Sequence, residues 1–270
     1  MVRLRGGRLR WVIAGIVVVA LVVAAIVAWP YAQRYTGAAP PAQFYQKVQL
    51  EPALAQDYQR VLGVAHNAGN NLGTLAKALR YGADVIEIDV ISARGRLVAG
   101  REQPLPQLAR LVFWGPTLSE AWDRAASADI TKLDIKQSDR GFLDELIAFV
   151  APRANSRRVM ISSDDPGALR YLHSRLPDVT LLFSVNGPDA VHELQSDPAL
   201  QQAIGGISVF QGLVDAGLVA WAHQHNLTIL AWTVNDSQRF NQLVRLDVNG
   251  ITTANLAILR ALGPPAPGGQ

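Results

Sequence analysis

Residues 61–90 read VLGVAHNAGNNLGTLAKALRYGADVIEIDV. An apolar run ends in His66, a polar turn of asparagines and glycines follows, and then come a helical stretch and a second apolar run. That order is strand, loop, helix, strand. In a strand, residues two apart share a face, so Glu87 and Asp89 project together while Ile86, Ile88 and Val90 point the other way. Two acids on one face of an apolar strand cost several kcal/mol in desolvation unless something neutralises them. A divalent cation does this, and oxygen donors suit Mg²⁺ or Ca²⁺. Solvated carboxylates on an edge strand, or an acid paired with a nearby arginine, are the plainer readings of the same spacing.

The unit repeats along the chain. Apolar runs at 61–66, 84–90, 131–136, 157–161, 179–183, 204–209, 227–233 and 248–252 alternate with helical stretches at 74–81, 117–126, 141–151, 166–175, 189–194, 213–225, 236–246 and 255–262. Short polar residues that cap free N–H groups open several helices, as at Asp236 and at Asp165 before Pro166. Eight strands, each followed by a helix, predict an α/β fold of the closed (β/α)8 TIM barrel type. An open doubly wound sheet is the competing arrangement, but AHNAGNNLG after the first strand lacks the dinucleotide-binding glycine spacing. A barrel gathers chemistry at the C-terminal ends of its strands. The polar residues there are His66, Asn67, Glu87, Asp89, Asp134, Lys136, Ser162, Ser163, Trp232, Asn235, Thr252 and Thr253. Three acids, a histidine and a lysine from neighbouring strands on one rim strengthen the cation reading.

Before the barrel, residues 12–28 (VIAGIVVVALVVAAIVA) carry no polar or charged side chain, and Trp11 and Trp29 bracket them. Counted from Trp11 to Trp29, a helix spans about 28 Å, close to the hydrocarbon thickness of a bilayer, with tryptophans at both interfaces. A cleaved signal peptide has a shorter apolar region, so the length favours an uncleaved single transmembrane helix. Arg3, Arg5, Arg8 and Arg10 precede it, which sets the N-terminus in the cytoplasm and the barrel on the extracytoplasmic side of the cell membrane. The expected organisation is a basic tail at 1–10, an anchor at 11–30, a linker at 31–56 packed loosely on the domain, and the barrel at 57–265. Without the four arginines of the tail, the chain's 25 basic side chains fall to 21 against 22 acidic ones. The basic balance is thus an orientation signal, and nucleic acid is not an expected partner. The absence of cysteine excludes disulfides and thiol catalysis.

These segments resemble the glycerophosphodiester phosphodiesterase family, across residues 61–262. VLGVAHNAG (61–69) stands where the family has a strand ending in His-Arg-Gly. TLAKALRYGADVIEIDV (74–90) follows its Thr-Leu, Gly-Ala-Asp and Glu-x-Asp segment, and PTLSEAW (116–122) its Pro-Thr-Leu-x-Glu. LDIK (133–136) stands for a Glu-Ile-Lys strand, while AWTVND (231–236) and NGITT (249–253) match Trp-Thr-Val-Asn and Asp-Gly-Ile-Thr-Asp. The resemblance implies that Glu87, Asp89 and Asp134 hold Mg²⁺ or Ca²⁺. It makes His66 an acid–base histidine, Lys136 a phosphate-side cation, and Trp232 a wall for the alcohol part. The implied substrate is a glycerophosphodiester or a phosphodiester derived from a phospholipid headgroup.

The chain departs from the family pattern at defined places. Asn67 occupies the position of a phosphate-contacting arginine, which makes it a candidate substrate-binding residue. Asn71-Leu72-Gly73 replaces Pro-Glu-Asn and its glutamate. Where a second histidine belongs the chain reads LVAGREQPLP (97–106), with Arg101 and Glu102, and Thr253-Ala254 lacks the final aspartate. Arginine stays protonated and cannot shuttle a proton; Glu102 can, if burial raises its pKa. Two functions follow. One is a membrane-anchored, metal-dependent phosphodiesterase with His66, Lys136 and Glu102 at its centre. The other is a degenerate barrel that binds a phosphorylated ligand or envelope partner without turnover. Plainer roles remain open: a hydrogen-bonded loop histidine for His66, barrel filling for Trp232, a surface ion pair for Arg101 and Glu102, and turn formation for Asn67, Asn70 and Asn71. His173, His192, His223 and His225 fall on helices or loops as surface residues.

Overall fold

The structure is a computed structural model that describes residues 48–58, 61–93, 95–100 and 115–263. The expected basic tail, the anchor at 11–30, most of the linker, and Arg101 and Glu102 lie outside the described residues. Among the described residues no helix is long and apolar enough to cross a membrane.

The strands are β1 (Leu62–Ala65), β2 (Val85–Ser92), β3 (Leu97–Ala99), β4 (Ile130–Ile135), β5 (Arg158–Ser163), β6 (Thr180–Val185), β7 (Gly206–Phe210), β8 (Thr228–Trp232) and β9 (Gly250–Thr253). Eight of them run parallel in the order β1-β9-β8-β7-β6-β5-β4-β2, and β2 pairs back to β1, which closes the barrel. All eight expected strands are present. The ninth, β3, was not anticipated: it is three residues long and pairs antiparallel with the end of β2, too short to carry a period. The short helix Pro198–Ala203, started by Asp197 and Pro198, was also missed.

Alternation along each strand sorts the side chains. Val64, Val85, Ile130, Met160, Leu182 and Leu230 meet inside the barrel as an apolar plug. Two residues further along the same strands the inward positions turn polar: Glu87, Lys132, Ser162 and Ser184, joined by Ser208 on β7. The other strand face packs against the helices, which contribute Leu75, Leu118, Leu146, Leu169, Phe240 and Leu259 to one continuous layer with Ile86, Ile88, Leu133, Ile161 and Phe183. Short polar caps begin these helices: Asn71, Thr117 in a capping box with Glu120, Asp139, Asp165, Asp215, Asp236 and Asn255 each accept from the first turn.

The described end of the connector is docked rather than loose. Tyr58 stacks on Phe240 with ring centroids 5.2 Å apart, and its hydroxyl donates to Asn241 Oδ1 at 2.7 Å. The Asn241 amide in turn donates to the Gln49 carbonyl at 3.0 Å.

The turn after β1 sits tightly on β2. A Cβ on Gly69 would lie 2.3 Å from Ile88 Cγ1 and 3.1 Å from the Glu87 carbonyl oxygen. Gly69→Ala is therefore expected to cost about 1–3 kcal/mol in a denaturant melt. An unchanged midpoint would show that the turn yields freely.

Candidate active site

The parallel register between β2 and β4 sets the centre of the site. Glu87 lies beside Lys132 and Asp89 beside Asp134, and one strand further Asp134 lies beside Ser162. Register partners on adjacent strands point to the same face, so these side chains meet inside the barrel. Lys132 is buried with 2% exposure, and its Nζ donates to Glu87 Oε1 at 2.6 Å. Lys136 follows β4, donates to Asp134 Oδ2, and places its Nζ 3.1 Å from Asp89 Oδ1.

The remaining carboxylate oxygens are also engaged. Glu87 Oε2 accepts the Asn67 backbone N–H at 3.2 Å, Asp89 Oδ2 accepts the Asn70 amide at 2.8 Å, and Asp134 Oδ1 accepts the Ser162 hydroxyl at 2.8 Å. Asn70 holds Asp89 from both sides, since its own Oδ1 accepts the Asp89 backbone N–H at 2.9 Å. Burial alone would disfavour ionised Asp134, but the ammonium groups of Lys132 and Lys136, with the hydrogen bonds of Lys136 and Ser162, outweigh it and hold its carboxyl below the usual range. Burial likewise opposes charge on Lys132, yet Glu87 first, then Asp134, and the hydrogen bond to Glu87 keep its ammonium above the ordinary lysine value.

Above this cluster opens a cavity of about 550 Å³, lined by His66, Glu87, Lys132, Asp134, Ile135, Lys136, Asp164, Ser184, Asn186, Ser208, Trp232 and Thr233. Of the expected site residues it brings together His66, Glu87, Asp134, Lys136 and Trp232. His66 follows β1 and is tied there by its backbone N–H to the Thr253 carbonyl at 2.9 Å. Trp232 ends β8, lines the cavity and meets the exposed Phe210 edge-on with ring centroids 5.6 Å apart. Asp89 is wholly buried behind Lys136 and Asn70 and does not line the cavity. Asn67 does not line it either; its backbone adopts a left-handed conformation (φ 54°), which asparagine tolerates, and so aims its N–H at Glu87. Asn71 caps the helix Leu72–Arg80. Ser163 and Asn235 are employed in turns, accepting the backbone N–H groups of Asp165 and Ala254 respectively. Among the other histidines, His173, His192 and His225 are exposed and His223 half-buried, and none lines the cavity.

Polar cavity residues that the strand pattern alone does not single out are Lys132, Asp164, Ser184, Asn186, Ser208 and Thr233. Lys132 was legible in principle: Lys132, Asp134 and Lys136 alternate along one strand, so all three must share a face. Asp164 follows β5 in a loop whose direction no periodicity predicts.

A divalent cation is the group the sequence leads one to expect here, and the donors do not fit it as they stand. Five of the six oxygens of Glu87, Asp89 and Asp134 already accept an N–H or O–H, and the sixth, Asp89 Oδ1, is ion-paired with Lys136, so three of the six are in contact with ammonium groups. Among the described residues no group of three or more His, Cys, Asp or Glu side chains is placed to hold a metal ion. What the arrangement offers instead is two ammonium groups facing a cavity that also holds an imidazole. Those groups are donors from which a phosphate oxygen can accept, and the imidazole can move a proton beside it.

Residues 104–257 match the model of the glycerophosphoryl diester phosphodiesterase family, which is more than half of the chain. No curated protein matches the chain in sequence. Solved structures share the barrel. An Oleispira antarctica phosphodiesterase in complex with the product sn-glycerol-3-phosphate is 18% identical, with a TM-score of 0.61 over 77% of this chain and 98% of that one. A Parabacteroides distasonis glycerophosphoryl diester phosphodiesterase is 16% identical, TM-score 0.60, over 82% and 95%. A calcium-dependent phosphoinositol-specific phospholipase C from a Pseudomonas species is 13% identical, TM-score 0.54, over 80% and 95%.

Proposed function

The chain belongs to the glycerophosphoryl diester phosphodiesterase family, and from that premise we propose that the barrel mouth hydrolyses a phosphodiester of the glycerophosphodiester or lipid-headgroup type. The observation that carries this is the convergence of His66, Lys132 and Lys136 on one cavity beside buried carboxylates. The phosphate would sit over Lys136, whose side chain is 26% exposed at the floor of the mouth, with its charge also facing Lys132. The alcohol part would lie against Trp232, and its hydroxyls would meet Ser184, Asn186 and Ser208. Water adds its oxygen to phosphorus while the ester P–O bond breaks, and His66 gives a proton to the leaving alkoxide. Asp164, three staves round the barrel from His66, lines the same cavity and is the described carboxylate best placed to take the proton lost by the water. Residues 11–30 would anchor the chain in the cell membrane with the barrel on the extracytoplasmic side, which brings the mouth to lipid-derived esters.

Binding without turnover is the second reading. It is favoured by His66 being the sole histidine at the cavity among the described residues. Both readings are tested with the full chain in detergent, assayed against glycerophosphodiesters and lysophospholipids. Release of a phosphomonoester or of the free alcohol supports the enzyme. No release, with saturable binding of sn-glycerol-3-phosphate, replaces it with the binding module. Neither turnover nor binding removes both.

A further inference from the structure

Lys132 is among the largest fully buried side chains of the described residues, and nothing in the proton transfer by His66 requires it. An ammonium inside a barrel costs several kcal/mol of solvation unless carboxylates surround it closely. Here they do: Glu87 touches it at 2.6 Å, and Asp134 and Asp89 lie along the neighbouring inward positions. Three carboxylates and two ammonium groups leave this cluster one negative charge. A divalent ion would reverse that sign and would have to displace an ammonium group from an oxygen it already holds.

We propose that Lys132 is a built-in cation: it supplies, as part of the chain, the positive charge that Mg²⁺ or Ca²⁺ would otherwise bring to Glu87, Asp89 and Asp134, so the cavity binds its phosphate ligand without a divalent ion. The second half of this statement rests on the phosphodiester reading of the cavity; the first half does not. An ion pair that serves only stability explains the contact between Lys132 and Glu87, but not its position. Lys132 stands at an inward position and lines the cavity together with Lys136, rather than lying between the strands and the helices.

The test is a thermal melt of the full chain and of Lys132→Met in matched ionic strength with chelator, Mg²⁺ or Ca²⁺. The wild-type midpoint is expected to be the same in all three. Lys132→Met leaves three carboxylates with a single lysine, so its midpoint should fall in chelator and rise when either cation is added. A wild-type midpoint raised by a cation, or a folded Lys132→Met indifferent to both, would overturn the proposal. Should Lys132→Met not fold, calorimetric titration of the wild-type chain with sn-glycerol-3-phosphate decides. Equal affinity with chelator and with cations is expected, and a loss of about tenfold in chelator, or 1.4 kcal/mol, would overturn it. No binding in any condition would count against the phosphodiester reading while the wild-type melt still decides the role of Lys132.

Discussion

His66→Ala should lower kcat on alkyl phosphodiesters by about 10²–10⁴-fold, the usual contribution of a positioned acid or base. The same change should have far less effect on a p-nitrophenyl ester, whose leaving phenolate needs no proton. The reason is the placement of the ring. His66 stands just beyond β1, half-buried at the mouth, while its backbone N–H is held by Thr253, so the substitution takes an imidazole from the cavity without opening the apolar layers. The melting temperature should therefore move little. Comparing the two esters in wild type and variant separates the roles. A loss confined to the alkyl ester identifies the proton donor, whereas equal losses on both would make His66 a binding residue and leave the proton to another group.

Glu87→Leu should destabilise the chain by about 3–5 kcal/mol, measured by urea unfolding, because it strands the Lys132 ammonium inside the barrel. The Glu87 carboxylate holds that ammonium at 2.6 Å and also accepts the Asn67 N–H, so the substitution takes this acceptor from one buried and one half-buried donor. Adding Lys132→Met to Glu87→Leu should recover most of the loss, since an apolar pair of similar volume carries no charge to solvate. A single variant that costs less than about 1 kcal/mol would mean that Lys132 finds Asp134 or solvent instead. The double variant measures the charge separately from the packing, which the single one cannot.

Much of the barrel could be read directly from residues. The runs that became β1, β2 and β4–β9 are apolar, short and spaced by helical stretches, and a chain with that pattern has few ways to bury both strand faces. Capping residues such as Asp165 and Asp236 announced helix starts because a short polar side chain beside free N–H groups is a local interaction. Helix ends drifted by one to a few residues; the stretch before Ala216, for instance, forms a separate 3-10 turn at Gln211–Leu213. β3 and the docked segment around Tyr58 were not legible, because both depend on partners distant in sequence.

By itself, the sequence determined that Glu87 and Asp89 share one face of β2, that Lys132, Asp134 and Lys136 alternate on one side of the run 131–136, and that His66 ends the run 61–66, since the strand period of two needs no tertiary information. Only the tertiary structure decided which of them meet. The β2–β4 register set Glu87 against Lys132 and Asp89 against Asp134, and a shift of one residue would have turned every one of these side chains into the helical layer. The fate of the acids followed from that pairing. From spacing alone they read as a cation site; in the folded barrel Lys132 on the neighbouring strand and Lys136 just beyond it pair with them, because a buried carboxylate is stabilised by whichever positive charge the register brings within contact.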